Sequence, residues 1–239
     1  MEMKLSYLAI IVAVVAALFL LVGGPGTRLG LWDFGFGFTL MRGAFIAGLV
    51  TLAVTLICLV IPATRRGQMS LLLIALLLGL IAVYVPWSNV RQARLVPPIH
   101  DITTDTRNPP FFVAILPLRA GAPNPPEYDG EEVAKLQREA YPDIEPYRIN
   151  ASVEEAYKKA LAAAKDMGWE IVAAAPEAGR IEATDTTFWY GFKDDIVVRI
   201  SEDNGESVID VRSKSRVGRG DVGTNAKRVR EYLKLLRGQ

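Results

Sequence analysis

Three uninterrupted apolar stretches dominate the first third of the chain, at positions 5–22, 44–61 and 70–85, and none contains a charged residue or a histidine. At about 16 to 18 residues each, they reach the short end of what crosses a hydrocarbon core ~30 Å thick, so the pattern predicts three transmembrane helices. After position 150 the periodicity changes. Val153, Ala156, Tyr157, Ala160, Leu161 and Ala164 recur at helical spacing behind Ser152, with Glu155 three residues on in the capping-box position and Gly168 as the stop. Glu154 with Lys158 and Glu155 with Lys159 are spaced to pair on the wet face. Four strand-like runs follow, at 169–175, 180–188, 195–201 and 207–216, and a closing helix from Thr224 to Arg237 turns Ala226, Val229, Tyr232, Leu233 and Leu236 to one side. The predicted architecture is α+β: a three-helix transmembrane region, then a two-layer domain in which a four-stranded antiparallel meander is flanked by two helices.

Asn204-Gly205 is a strong hairpin signal. With a two-residue turn there, residues whose numbers sum to 409 face each other. Ile200 then meets Ile209 and Val198 meets Val211 on one face, while Arg199 meets Asp210 and Asp195 meets Lys214 on the other, as cross-strand ion pairs. Arg212, Ser213, Ser215 and Arg216 are left without assigned partners.

Ten of the fourteen prolines fall between positions 87 and 150. This segment cannot be mainly helical and is expected to be an extended strap, which divides the chain into a transmembrane region (1–86), a proline-rich strap (87–150) and a soluble domain (151–239). Charge follows the same division. The chain is 51% hydrophobic and carries net charge +1, yet only seven charged residues fall in positions 1–86 and 46 in the remainder. A single-domain cytosolic protein is excluded, and spans without carboxylates, lysines or histidines argue against a pump or transporter. On the second span Thr51, Thr55 and Cys58 share a helix face, either bonding back to their own backbone or contacting another helix, and Gly43, Ala44, Ala47 and Gly48 are small enough for close packing.

The first span runs into Gly23-Gly24-Pro25-Gly26 without a small-residue cleavage site, so it reads as an uncleaved anchor. The loop after it carries Trp32 and the alternation Phe34-Gly35-Phe36-Gly37-Phe38; with Tyr84 and Trp87 these aromatics mark a water boundary. Arg65 and Arg66 in the short second loop, with Lys4, favour an inside amino terminus and an outside domain, against Arg28, Arg42, Arg91 and Arg94 on the other side. The single cysteine, Cys58, lies in a span, so the soluble part has neither a disulfide nor a thiolate metal site.

Candidate chemistry is sparse. His100, the only histidine, precedes Asp101 and Asp105; these are metal-ligand types, but a zinc site needs at least three protein ligands, and turn bonding by Asp and Thr is the competing use. No metal and no cofactor is expected. Gly218-Arg219-Gly220-Asp221-Val222-Gly223 matches GxGxxG, but a dinucleotide fingerprint needs a further parallel strand and an acidic residue about 20 positions on, and the chain has only 16 residues beyond Gly223. What survives is either a helix amino terminus beside Arg216 and Arg219 that holds an anion, or a turn that merely fits the backbone. From 212 to 239 there are nine Lys or Arg against two Asp or Glu, either a solvated face or a surface for acidic lipid; nucleic acid is not expected as a partner. Asp185-Thr186-Thr187-Phe188-Trp189-Tyr190-Gly191-Phe192 is a binding patch if exposed and core plus turn if buried.

The run from His100 to Phe111, Tyr141-Pro142-Asp143-Ile144, Met167-Gly168-Trp169, the segment Arg180 to Thr187, Phe192-Lys193-Asp194-Asp195, and Asp210-Val211-Arg212-Ser213 continuing through Ser215-Arg216-Val217-Gly218 to Asp221, Gly223 and Asn225-Ala226 together resemble the family known as domain of unknown function 1499, over about residues 95–237. The resemblance implies a protein often tethered to bacterial or chloroplast membranes, and it supplies no activity, ligand or catalytic residue.

The expected function is a multi-pass protein of the bacterial inner membrane with a periplasmic domain that binds a partner protein or an anionic ligand, anionic lipid included, through Asp185, Thr187, Arg212, Ser213, Ser215, Arg216, Asp221 and Asn225. Two alternatives stand beside it. One is a hydrolase acting on a phosphate or ester, with Ser213 or Ser215 as nucleophile and Asp185, Asp194 or Asp221 as acid or base; it requires His100 to reach one of the serines. The other is an accessory subunit of a larger membrane complex.

Overall fold

The computed structural model describes residues 5–238, so Glu2 and Lys4 of the charge pattern lie outside the described residues. The chain forms two compact units. One comprises the residues up to Gln92 together with Phe188–Gly191, and the other comprises Ala93–Thr187 and the chain from Phe192 onward.

The first unit is built on helices α1 (Leu5–Arg28), α2 (Phe34–Val60), the single turn α3 (Pro62–Arg65) and α4 (Met69–Leu95). Helices α1, α2 and α4 are long and apolar enough to cross a membrane. Three limits differ from the sequence expectation, the first being that α4 runs through Pro86 to Leu95, past the expected end at 85 and into the segment assigned to the strap. The glycines and proline at 23–26 continue α1, and Phe34-Gly35-Phe36-Gly37-Phe38 opens α2 and is not a loop. The physical reason is Asp33, whose carboxylate caps α2 by accepting from the Phe36 amide at 3.1 Å. Small residues sit where helices cross. A Cβ on Gly48 would lie 3.2 Å from the Gly79 carbonyl oxygen and 3.0 Å from the Ala82 methyl, so the small residue suits this close approach of α2 to α4. Thr51, Thr55 and Cys58 are buried on the same side. The hydroxyls of Thr51 and Thr55 make no hydrogen bond among the described residues, so these threonines serve helix contact and do not bond back to their own helix.

The second unit is α+β. Its sheet has six strands, two more than expected: β1 (Asp101–Thr103), β2 (Tyr147–Ile149), β3 (Glu170–Ala175), β4 (Arg180–Thr186), β5 (Lys193–Asp203) and β6 (Glu206–Ser215). The meander β3-β4-β5-β6 is antiparallel, and β1 and β2 both pair with the outer edge of β6. The extra strands come from the proline-rich segment. Prolines confine them to three residues each at a sheet edge, where a missing amide is tolerated. That segment also forms helix α5 (Glu131–Ala140). Its Gln137 closes the exposed edge of β1, accepting from the Thr103 amide at 3.0 Å and donating to the Thr103 carbonyl at 2.6 Å.

The β5–β6 hairpin has the expected register, with Ile200 opposite Ile209, Val198 opposite Val211, Arg199 opposite Asp210 and Asp195 opposite Lys214. Asn204 and Gly205 both have positive φ, 54° and 80°, the backbone that a two-residue primed turn needs. Helix α6 (Val153–Asp166) begins with the complete Ser152 and Glu155 capping box. Glu154 pairs with Lys158 at 2.5 Å, whereas Glu155 is consumed by the cap. Helix α7 spans Thr224–Arg237.

Because side chains alternate along a strand, the sheet presents two different layers. Ile181, Ala183, Ile196, Val198, Ile209 and Val211 face α6 and α7 in the main core, where Trp169 stacks on Tyr232 with centroids 4.9 Å apart. On the other face Val197 meets Phe112 and Ile115 of the proline-rich segment. The strap therefore covers the second face of the sheet as a layer in its own right.

Candidate functional site

The alternation that builds the two layers also separates the residues the sequence brought forward. On β6, Arg212 and Lys214 point toward the strap and Ser213 and Ser215 toward the helices. Two buried polar clusters result, one on each face.

The strap-side cluster centres on Asp101, which is completely buried. Arg212 clasps it with Nε and Nη2, each 2.8 Å from one carboxylate oxygen. The same guanidinium donates to the carbonyls of Pro110 and Pro126 and lies over the rings of Phe112 and Tyr128, 4.9 and 5.5 Å from their centroids. Lys214 reaches Asp101 at 3.2 Å and Asp129 at 2.6 Å. Beside them, Asp195 is held by Arg119 at 2.7 Å and Arg216 at 2.8 Å. The expected pairing of Asp195 with Lys214 is thus corrected: the register is right, but each finds its partners in the strap layer, Asp195 also taking Arg216 just beyond β6. Arg199 does pair with Asp210, at 2.7 Å, and also holds Asp105. Burial raises the pKa of the Tyr128 hydroxyl above its ordinary value, with the Asp101 charge adding to the effect.

Glu182 is buried on this face and shapes the strap. Its carboxylate accepts from the amides of Val113, Ala114 and Ile115 at 3.0–3.1 Å and is met by Arg180 at 3.1 Å. Three successive amides turned onto one carboxylate fix the turn at 112–116. Phe112 and Ile115 consequently point inward, while Phe111, Val113, Leu116 and Leu118 remain exposed.

The helix-side cluster centres on Arg228 of α7, which sequence reasoning missed. It donates to Asp185 at 2.8 Å, Asp194 at 2.7 Å, Ser213 at 3.1 Å and Asn225 at 2.5 Å. Asn225 takes the Ser213 hydroxyl at 2.6 Å and donates to Ser215 Oγ at 2.9 Å and the His100 carbonyl at 3.1 Å. Five of the candidate residues therefore meet here or border it: Asp185, Ser213, Ser215, Asn225 and Asp221. Thr187 closes the base of the β4–β5 turn, its hydroxyl accepting from the Phe192 amide at 2.9 Å.

The GxGxxG segment supplies its own anion. The Asp221 carboxylate accepts from the amides of Gly223 at 2.8 Å and Asn225 at 2.7 Å, at the start of α7. Burial raises the Asp221 pKa, with the neighbouring Asp194 charge working in the same direction. Val222 has φ of 56°, an unusual backbone for a β-branched residue. Arg216 faces Asp195 and not this helix terminus.

The His100 ring contacts Asp129 at 3.3 Å and the Arg219 carbonyl at 3.4 Å. Asp101 and Asp105 are each engaged by arginine, and no group of three or more His, Cys, Asp or Glu poised for a metal occurs among the described residues. The expectation of Arg212, Ser213, Ser215 and Arg216 as residues without partners is thereby corrected, since each is bound within the fold. The basic end from position 212 is divided: Arg219, Lys227, Lys234 and Arg237 are exposed, and the other five are engaged within the fold. Arg212, Lys214, Arg216 and Arg228 lie in the two clusters, and Arg230 pairs with Asp143 at 2.6 Å. Two polar surface grooves, of about 330 and 360 Å³, lie elsewhere: one beside Asn150, Ser152 and Glu206, the other beside Arg148, Arg199 and Asp203.

Residues 101–236 match the family model described as Protein of unknown function (DUF1499), and the chain belongs to that family. No curated protein matches the chain.

Proposed function

We propose that this protein is a membrane-anchored binding module whose second unit docks a protein partner through the exposed apolar turn of Phe111, Val113, Leu116 and Leu118. One observation carries this reading. The polar residues with chemical potential are engaged by internal partners, whereas four large apolar side chains within eight positions are held outward by a turn clamped on buried Glu182. Apolar clusters kept exposed on an ordered scaffold mark contact surfaces. A protein partner is favoured over an anionic ligand because Arg212, Arg216 and Arg228 are already neutralised by Asp101, Asp195, Asp185 and Asp194. The hydrolase alternative has little support: both candidate serines are bound to Asn225, and the His100 ring lies against Asp129 and the Arg219 carbonyl. If the partner is itself a membrane protein, the chain is an accessory subunit of that complex.

For location we propose the bacterial inner membrane with the domain in the periplasm, on the strength of Arg65 and Arg66 in the short connection between the second and third apolar helices. A carboxyl-terminal reporter active only outside the cytoplasm supports this orientation, and one active only inside overturns it. The docking reading is tested by purifying wild type, Val113→Asp and Leu118→Asp in mild detergent from native membranes. A partner present with wild type and Arg107→Ala but lost from both apolar variants is expected; equal recovery from all of them contradicts the assignment.

A further inference from the structure

The turn Phe188–Gly191 belongs with the apolar helices, and its surroundings there are specific. Trp189 rests on Gly24 of α1 so closely that a Cβ at that glycine would lie 2.1 Å from the indole. The Tyr190 ring meets Phe38 of α2 edge to face, with centroids 5.1 Å apart. Arg28, the last residue of α1, donates to the Phe188 carbonyl at 2.5 Å and lies 5.9 Å over its ring. Around this contact Leu29 and Leu31 of the α1–α2 connection and Phe34 and Phe36 in the first turn of α2 are exposed, and Phe188 itself is 83% exposed and Trp189 41%. The one acid of the connection, Asp33, is used as the α2 cap.

We infer that Phe188 and Trp189 are an interfacial lipid contact, lying in the headgroup layer of the bilayer that α1 and α2 cross. Three features select lipid as the occupant. The patch is continuous with the ends of two apolar spans; aromatic rings with an apolar body and a wet edge suit the interfacial layer; and Arg28 at the end of α1 is a residue type that lays its stem along apolar surface while its charged head stays at the polar layer. A strand-to-strand turn is an unexpected source of such residues, and the glycine at position 24 is the feature that admits the indole. The inference rests on the membrane-spanning reading of α1 and α2 and is independent of the partner docking at Phe111 to Leu118.

The test uses the full chain in phosphatidylcholine and phosphatidylglycerol vesicles. Trp189 is left as the only tryptophan by Trp32→Phe, Trp87→Phe and Trp169→Phe, and a matching protein keeps Trp32 alone. Expected are blue-shifted Trp189 emission and stronger quenching by a nitroxide near the head of the acyl chain than by one at its tail. Trp189 emission that is untouched by either nitroxide but quenched by aqueous iodide overturns the inference if Trp32 is quenched by lipid. If neither tryptophan responds to lipid nitroxides, the membrane-spanning reading itself fails. Because Trp169 lies in the core, the same comparison is made with an environment-sensitive fluorophore on Phe188→Cys in a Cys58→Ala background. There an emission matching that of the fluorophore on exposed Asn204→Cys counts against the lipid contact.

Discussion

Replacing Arg212 by alanine removes the centre of the strap-side cluster, and its cost follows from what is stranded. Asp101 would keep only Lys214, and breaking one partner of a buried ion pair costs about 3–5 kcal/mol. The Pro110 and Pro126 carbonyls lose a donor each, in the range of about 1 kcal/mol apiece. Overlap between these effects in one network puts the total at about 4–6 kcal/mol, a large part of the ~5–15 kcal/mol that holds a domain together. Arg212→Lys keeps the charge but cannot clasp both Asp101 oxygens and both carbonyls, so it falls between wild type and alanine. Asp101→Asn combined with Arg212→Met removes the stranded charge and is expected to be more stable than Arg212→Ala alone. The assay is hydrogen exchange of the β6 amides in detergent-solubilised full chain, where each ~1.4 kcal/mol of lost protection reads as tenfold faster exchange. Exchange in Arg212→Ala within tenfold of wild type would refute the reasoning and return Arg212 to the list of ligand-facing residues.

Glu182→Gln places an amide group where three backbone amides converge, and an unmatched buried donor costs about 1–3 kcal/mol; hydrogen exchange should quicken at Val113 to Ile115 with the α6–α7 core unaffected. Ser152→Ala removes the α6 cap and should lower stability by about 1 kcal/mol, read from the urea midpoint. For Asp221 the folded pKa is raised, so between its unfolded value near 3.9 and the folded value the folded state binds more protons. Its unfavourable contribution is therefore absent at low pH and grows as pH rises through the folded value. Wild type should lose stability relative to Asp221→Asn over that interval and level off above it, a difference checked by urea midpoints across pH; a flat or rising difference contradicts the assignment.

The hairpin and the closing helix were legible in the sequence because their signals are local. Asn204-Gly205 fixes the β5–β6 register, and the apolar spacing from Ala226 to Leu236 defines α7. The two added strands were not legible. Three residues flanked by prolines carry no periodicity, and their partner, the edge of β6, lies over a hundred residues from β1 in sequence. Helix α5 had a faint signature in Gly130 followed by Glu131 and Glu132, with Arg138 in its last turn, which the prolines around it obscured. For the candidate site, the period of two along β6 already sends Arg212 and Ser213 to opposite faces, so reading 212–216 as one surface conflicted with the strand prediction. Arg228 and Glu182 were invisible for another reason: their roles depend on α7 and the strap folding back over the sheet.

In the proposed function the second unit meets its partner through the apolar turn and keeps its buried charged clusters for internal cohesion. Photo-crosslinking in native membranes, from a photoreactive residue placed at Val113, Leu118, Arg219 or Asp203, distinguishes the two surfaces. One discrete protein adduct is expected from Val113 and from Leu118, and none from Arg219 or Asp203. An adduct from Arg219 with none from either apolar position would contradict it.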